Sequence, residues 1–170
     1  MIILIGYMGS GKTTIAKTLS EILQKSYCDL DALIEQKEGN SISKIFAEKG
    51  EVYFRKKERE TLENVLNENP DIILSLGGGT PCFGNNMELI NKGPSGVFYL
   101  KPSLQVLTKR LFNEKDKRPL ISHLETEEKL EEFVRKHLFE RNFYYLQAQH
   151  TIATDDKTPE AIANEIISLL

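Results

Sequence analysis

The string Gly6-Tyr-Met-Gly-Ser-Gly-Lys12-Thr13 constrains this chain more than any other feature. It matches G-x-x-x-x-G-K-[ST] and lies where that pattern makes mechanical sense. The aliphatic run Ile2-Ile-Leu-Ile5 ends at Gly6, and an amphipathic helical pattern begins at Lys12. Glycines in such a turn let backbone N–H groups converge on phosphate oxygens, and the helix start adds positive potential. The pattern predicts that Gly9, Ser10, Gly11, Lys12, Thr13 and Thr14 surround the phosphates of a nucleotide. Lys12 would reach the β- and γ-phosphates, and the Thr13 hydroxyl would ligate Mg²⁺.

The rest of the chain repeats one theme, a short apolar run followed by a helical pattern. Residues 72–76 and 97–100 read as buried strands, with weaker candidates at 26–28 and 151–153. Helical patterns cover 12–24, 31–37, 43–49, 51–67, 104–112, 127–146 and 159–169. The last begins with Thr158 as N-cap and Pro159 at the first helical position. Strands alternating with helices predict an α/β fold, a parallel sheet with helices on both faces. No repeat or linker divides the 170 residues, so one domain over 1–170 is expected. Residues 113–126 fit neither element; they are rich in charge, carry Arg118-Pro119, and have the length of a surface loop or a lid.

Charge narrows the partners. Lys and Arg number 22 against 25 Asp and Glu, a net −3, which argues against nucleic acid and against an anionic membrane surface. No apolar run is long enough to span a bilayer, and Met1-Ile-Ile-Leu-Ile5 lacks a basic leader, so a cytoplasmic protein is expected. Cys28 and Cys82 lie too far apart for a metal pair or redox motif, consistent with reduced thiols. His123, His137 and His150 show no metal spacing. A guanine-specific switch protein would carry N-K-x-D, but Asn91-Lys92-Gly93-Pro94 lacks the acid. Motor and AAA-type ATPases need a far longer chain, which leaves small-molecule and nucleoside-monophosphate kinases.

Three further groups follow strand ends, where an open α/β sheet binds its ligands. Asp29 and Asp31 are two apart, so in extended chain both carboxylates face one way. One could support Mg²⁺ and the other accept a substrate hydroxyl, while Asp31 could also cap a helix beginning near Ala32. Gly77-Gly78-Gly79 marks a tight turn or a close approach to the backbone. Arg55 sits in a charged helical run that could be simply a wet face, and Arg141 lies among aromatics, where a guanidinium usually has an anion.

Taken together, the motifs resemble the shikimate kinase family nearly end to end. The similarity runs through G-x-M-G-S-G-K-T, D-x-D-x-x-I-E from Asp29, G-x-S-I-x-x-I-F from Gly39 and G-E-x-x-F-R-x-x-E from Gly50. It continues through S-L-G-G-G from Ser75, R-P-L from Arg118 and R-x-x-x-Y from Arg141. The resemblance implies a five-stranded parallel sheet of the nucleoside-monophosphate-kinase type, with an acceptor-binding region around residues 31–60 and a lid around 113–126. It implies ATP-dependent phosphorylation of the 3-hydroxyl of shikimate, on the way to chorismate and the aromatic amino acids, by a monomer using Mg²⁺.

By matching position, Asp31, Arg55, Arg141 and Gly77, Gly78 and Gly79 would hold shikimate, with Arg55 and Arg141 on its carboxylate. Glu58 would brace Arg55, and Phe46 and Phe54 would flank the ring. Asp29 would support Mg²⁺ beside Thr13, Arg118 would reach the phosphates, and Arg110 would stack on adenine. Lys12, Asp31 and Arg118 would carry the catalysis. The stretch from Thr154 to Pro159 departs from the family in being acidic, so no role is assigned to Lys157. A gluconate-kinase-like sugar-acid kinase shares the loop and the cationic anchors but fits F-R-x-x-E and S-L-G-G-G less well. A silent nucleotide-binding module would have lost Lys12, Asp31 or Arg118, and all three are present.

Overall fold

Ile2 and Leu4 project from one side of the first strand and Ile3 and Ile5 from the other, and all four are buried. A strand covered on both faces must lie inside a helix–sheet–helix sandwich. The computed structural model describes residues 1–68, 71–93, 96–115 and 118–170, and it has this architecture. In chain order the elements are β1 (Ile2–Ile5), α1 (Lys12–Leu23), β2 (Tyr27–Asp29), α2 (Leu30–Glu38), α3 (Ile42–Glu68) and β3 (Ile73–Ser75). A 3-10 turn at Thr80–Cys82 follows, then α4 (Asn86–Asn91), β4 (Gly96–Lys101), α5 (Leu104–Asn113), α6 (Glu127–Tyr145), β5 (His150–Ala153) and α7 (Pro159–Ile167).

The five strands are all parallel, in the order β2-β3-β1-β4-β5. On one face Ile2, Leu4, Ile73, Phe98, Leu100 and Ile152 pack against Ile15, Ala16 and Leu19 of α1 and Ile162, Ala163 and Ile166 of α7. On the other, Ile3, Ile5, Leu74, Leu76, Val97 and Tyr99 meet the apolar faces of α2 to α6. Each such side chain, fully buried, is worth roughly 1.5–3 kcal/mol, so the sheet is held from both sides. No described helix is long and apolar enough to cross a membrane.

Local signals explain most boundaries. Thr158 caps α7 by accepting from the Ala161 amide at 3.2 Å, with Pro159 in the first turn. Gly50 breaks α3 with φ 79°, a left-handed value that L side chains resist, so its two halves follow the two expected patterns. Three expectations need correction. The helix after β2 begins at Leu30 and is capped by Asp29, whose carboxylate accepts from the amides of Asp31 and Ala32 at 3.1 and 3.3 Å. Asp31 therefore lies within the first turn and is not the cap. Helix α4 and the 3-10 turn have no counterpart in the sequence reading, and β2 runs one residue later than expected. The expected lid includes residues 116 and 117, which lie outside the described residues. Beyond them Ile121 is fully buried in the larger core.

Candidate active site

Strand register assembles the site. Ser75 of β3 pairs with Leu4 of β1 on one side and with Asp29 of β2 on the other, so the three strands end level. Within two residues each chain leaves the sheet at the same edge, as Gly6, as Gly77 and as Asp31. The glycine-rich loop, the glycine triplet and the acidic pair thus share one crevice.

Gly11 precedes α1 with φ 92°, which turns the loop so that the first turn of the helix faces the crevice. That turn carries no acidic side chain to offset its positive end. Lys12 Nζ donates to the carbonyls of Gly6 and Tyr7, both at 2.9 Å. The ammonium is desolvated, which lowers its pKa to about 8 even though Asp31 and Asp29 oppose the shift. Lys12 is thus parked on its own loop, with a charge that an added anion would stabilise.

Asp31 lies across the crevice from Lys12. Burial, reinforced by the negative charges of Asp29 and Glu58, raises its pKa from 3.8 to about 6, against the pull of Lys12 and Arg55. A carboxylate poised this way is charged at neutral pH and able to take a proton. Asp29, besides capping α2, accepts from the Thr13 hydroxyl at 3.2 Å.

The glycine triplet is the bed on which three expected residues lie. A Cβ at Gly77 would stand 2.7 Å from Asp31 Oδ1, and one at Gly79 only 2.8 Å from Arg55 Nη2. At Gly78 it would be 3.6 Å from Arg141 Nη1. Arg55 is held by Glu58, whose Oε2 accepts from Nη1 at 2.8 Å, and its guanidinium lies over the rings of Phe54 and Phe83. Arg141 lies over the Tyr7 ring, 5.6 Å from its centre. Phe46 packs against Phe54 with ring centres 4.7 Å apart.

On the other side, a cleft of about 490 Å³ runs from the loop past Asp29 and Asp31 and is bordered by Arg110, Arg118 and Lys157. Arg110 donates to the Gly9 carbonyl at 3.3 Å. Arg118 pairs with Glu114 at 2.9 Å, while its buried Nε has no hydrogen-bond partner among the described residues. Lys157 pairs with Glu165 at 2.6 Å. Thr154, from the stretch whose acidity sets it apart, also lines the cleft; sequence reasoning did not single out Glu114, which lines it too, or Phe83, which covers Arg55. Neither sits in a chemical motif; only contact in space singles them out.

The donor set at Thr13 and Asp29 consists of hard oxygens, as Mg²⁺ requires. Among the described residues no cluster of three or more His, Cys, Asp or Glu is placed to bind a metal alone. The Thr13 and Asp29 oxygens could fill only part of the near-octahedral shell of Mg²⁺, so they fit a cation that also takes phosphate oxygens.

Comparison with known proteins agrees with this geometry. A sequence model of the shikimate kinase family matches residues 8–170. A shikimate kinase of Flavobacterium psychrophilum is 49% identical over 169 residues, covering 99% of this chain and 98% of the relative. A shikimate kinase structure from Bacteroides thetaiotaomicron superposes with a TM-score of 0.86 at 33% identity, covering 99% of this chain and 94% of the other. One from Acinetobacter baumannii, in complex with shikimate, gives the same TM-score of 0.86 and 33% identity, over 99% and 90% of the two chains.

Proposed function

The chain belongs to the shikimate kinase family and is an enzyme that phosphorylates shikimate from ATP, and on that premise we propose how its side chains divide the work. Gly9, Ser10, Gly11, Lys12, Thr13 and Thr14, with the start of α1, hold the nucleotide phosphates. Lys12 leaves the Gly6 and Tyr7 carbonyls for the β- and γ-phosphates. Arg110 stacks on adenine, and Arg118 exchanges Glu114 for the transferring phosphoryl group. Thr13 and Asp29 hold Mg²⁺, which when bound neutralises phosphate charge.

Arg55 and Arg141 take the acceptor's carboxylate, and the backbone of Gly77, Gly78 and Gly79 lets the acceptor ring approach. Asp31 receives the 3-hydroxyl and accepts its proton as the oxygen bonds to the γ-phosphorus of ATP and the bond from that phosphorus to the β–γ bridging oxygen breaks, releasing ADP. Phosphoryl transfer of this type passes through a loose transition state, so positioning and charge do most of the work. The observation that carries this reading is the glycine bed, which lays a carboxylate and two guanidiniums side by side next to the phosphate loop.

Residues 1–170 act as one unit, a monomer, and the chain that follows Arg118 closes over the nucleotide. One chain supplies every named side chain, and two free cysteines suit the reducing cytoplasm. The test is ADP release with ATP and Mg²⁺ over a panel of hydroxy acids. Turnover with shikimate far above gluconate and other sugar acids is expected; a preference for gluconate would overturn the assignment of the acceptor site.

A further inference from the structure

Arg55 reaches the acceptor only if Glu58 leaves part of its guanidinium free. Glu58 is 1% exposed, so neither of its oxygens is satisfied by bulk water. Oε2 accepts from Arg55 Nη1 at 2.8 Å, and Oε1 accepts from Thr80 Oγ1 at 2.7 Å. Thr80 is fully buried and opens the 3-10 turn directly after the glycine triplet. Its own carbonyl accepts from Asn86 Nδ2 at 2.9 Å, and Arg59 Nη1 donates to Asn86 Oδ1 at 2.9 Å. The hydroxyl is thereby fixed from behind by α4 and α3.

Among the described residues the Nε and Nη2 edge of Arg55, which packs beside Gly79, makes only long hydrogen bonds, 3.4 and 3.5 Å, to the exposed Glu51. That edge is the one available to an incoming carboxylate. A buried carboxylate with one oxygen bare seeks a second donor, and the nearest cation is Arg55 itself. Without Thr80 the guanidinium would turn to bind Glu58 through two nitrogens and abandon the acceptor.

We propose that Thr80 is a positioning residue for the acceptor's carboxylate: by occupying one oxygen of Glu58 it confines Glu58 to a single bond with Arg55. This rests on the reading that Arg55 binds that carboxylate, which an Arg55→Ala variant tests separately.

Thr80→Val keeps the shape and removes the donor, Thr80→Ala removes it with less crowding, and Thr80→Ser restores it. For Val and Ala the KM for shikimate should rise about tenfold, with kcat and the KM for ATP within about twofold, and Ser should recover the wild-type value. The methyl ester of shikimate, which lacks the anionic carboxylate, should show equal KM values for wild type and variants. Circular dichroism and melting identify folded variants. If folded Val and Ala variants keep the wild-type KM, or lose equally on acid and ester, the proposal is wrong. If Arg55→Ala leaves the shikimate KM unchanged, the carboxylate seat itself is wrong.

Discussion

The carboxylate of Asp31 fills the space that a side chain at Gly77 would need, its Oδ1 lying 2.7 Å from the position of a Cβ there. The glycine is thus a steric condition for the acid to face the crevice. Gly77→Ala should still fold, because Gly77 has no left-handed backbone requirement, but its Cβ would displace Asp31 and also crowd the buried Thr80 Oγ1 at 3.0 Å. Moving Asp31 costs catalysis: a displacement near 1 Å is enough to lower kcat at least about tenfold. Steady-state kinetics beside a thermal melt checks this, with kcat falling while the variant, of somewhat lower Tm, still unfolds in one cooperative transition.

Asp31 gives two pH dependences of opposite sign. As a proton acceptor it must be ionised, so kcat/KM should rise with pH through about 6 and then level. Asp31→Asn should lose that limb and at least ~10²-fold in kcat, with shikimate affinity, measured by calorimetry, changed much less. Stability runs the other way. The folded pKa lies above the ordinary 3.8, so the folded chain holds extra protons between 3.8 and about 6 and loses stability as pH rises through that window. The Asn variant should therefore melt higher than wild type at neutral pH, and the gap should close toward pH ~4.

Lys12 predicts proton uptake on nucleotide binding. Its desolvated ammonium has a pKa near 8, and phosphate oxygens should raise it again. At about pH 8.5, calorimetry in buffers of different ionisation enthalpy should register a proton taken up with ATP, and Lys12→Met should register none. Lys12→Ala should nearly abolish phosphoryl transfer with an unchanged circular dichroism spectrum.

Arg141 lies over the Tyr7 ring and against Gly78. Arg141→Ala should raise the shikimate KM roughly tenfold to a hundredfold, the worth of a charge-assisted bond, and scarcely alter ATP affinity. A collapse of ATP affinity instead would put Arg141 on the nucleotide side.

Arg118 pairs with Glu114 at 2.9 Å. Arg118→Lys should lower kcat more than it raises the KM for ATP, because an ammonium cannot span two phosphate oxygens as a planar fork does. Comparing the two constants for wild type and variant decides the point.

The amino-acid sequence by itself determined whatever depends on near neighbours in the chain. The phosphate loop is complete within eight residues, and the start of α7 is written in Thr158-Pro159. β1 and the long helices follow from side-chain periodicity, because burial on one face or two leaves a pattern along the chain. The shortest elements were hardest to read: α4, with six residues, left no period and was missed, and β2, with three, was placed one residue early. The cap of α2 was expected at Asp31; it is Asp29, whose extended backbone (φ −101°, ψ 121°) no local signal marks.

Tertiary structure alone decided the contacts that make these residues a site. Thr80 meets Glu58 across 22 positions, Arg55 lies against Gly79, and Phe83 covers Arg55. No local pattern encodes these pairings. They arise because the register of β1, β2 and β3 brings three strand ends level, so residues distant in the chain leave the sheet into one crevice.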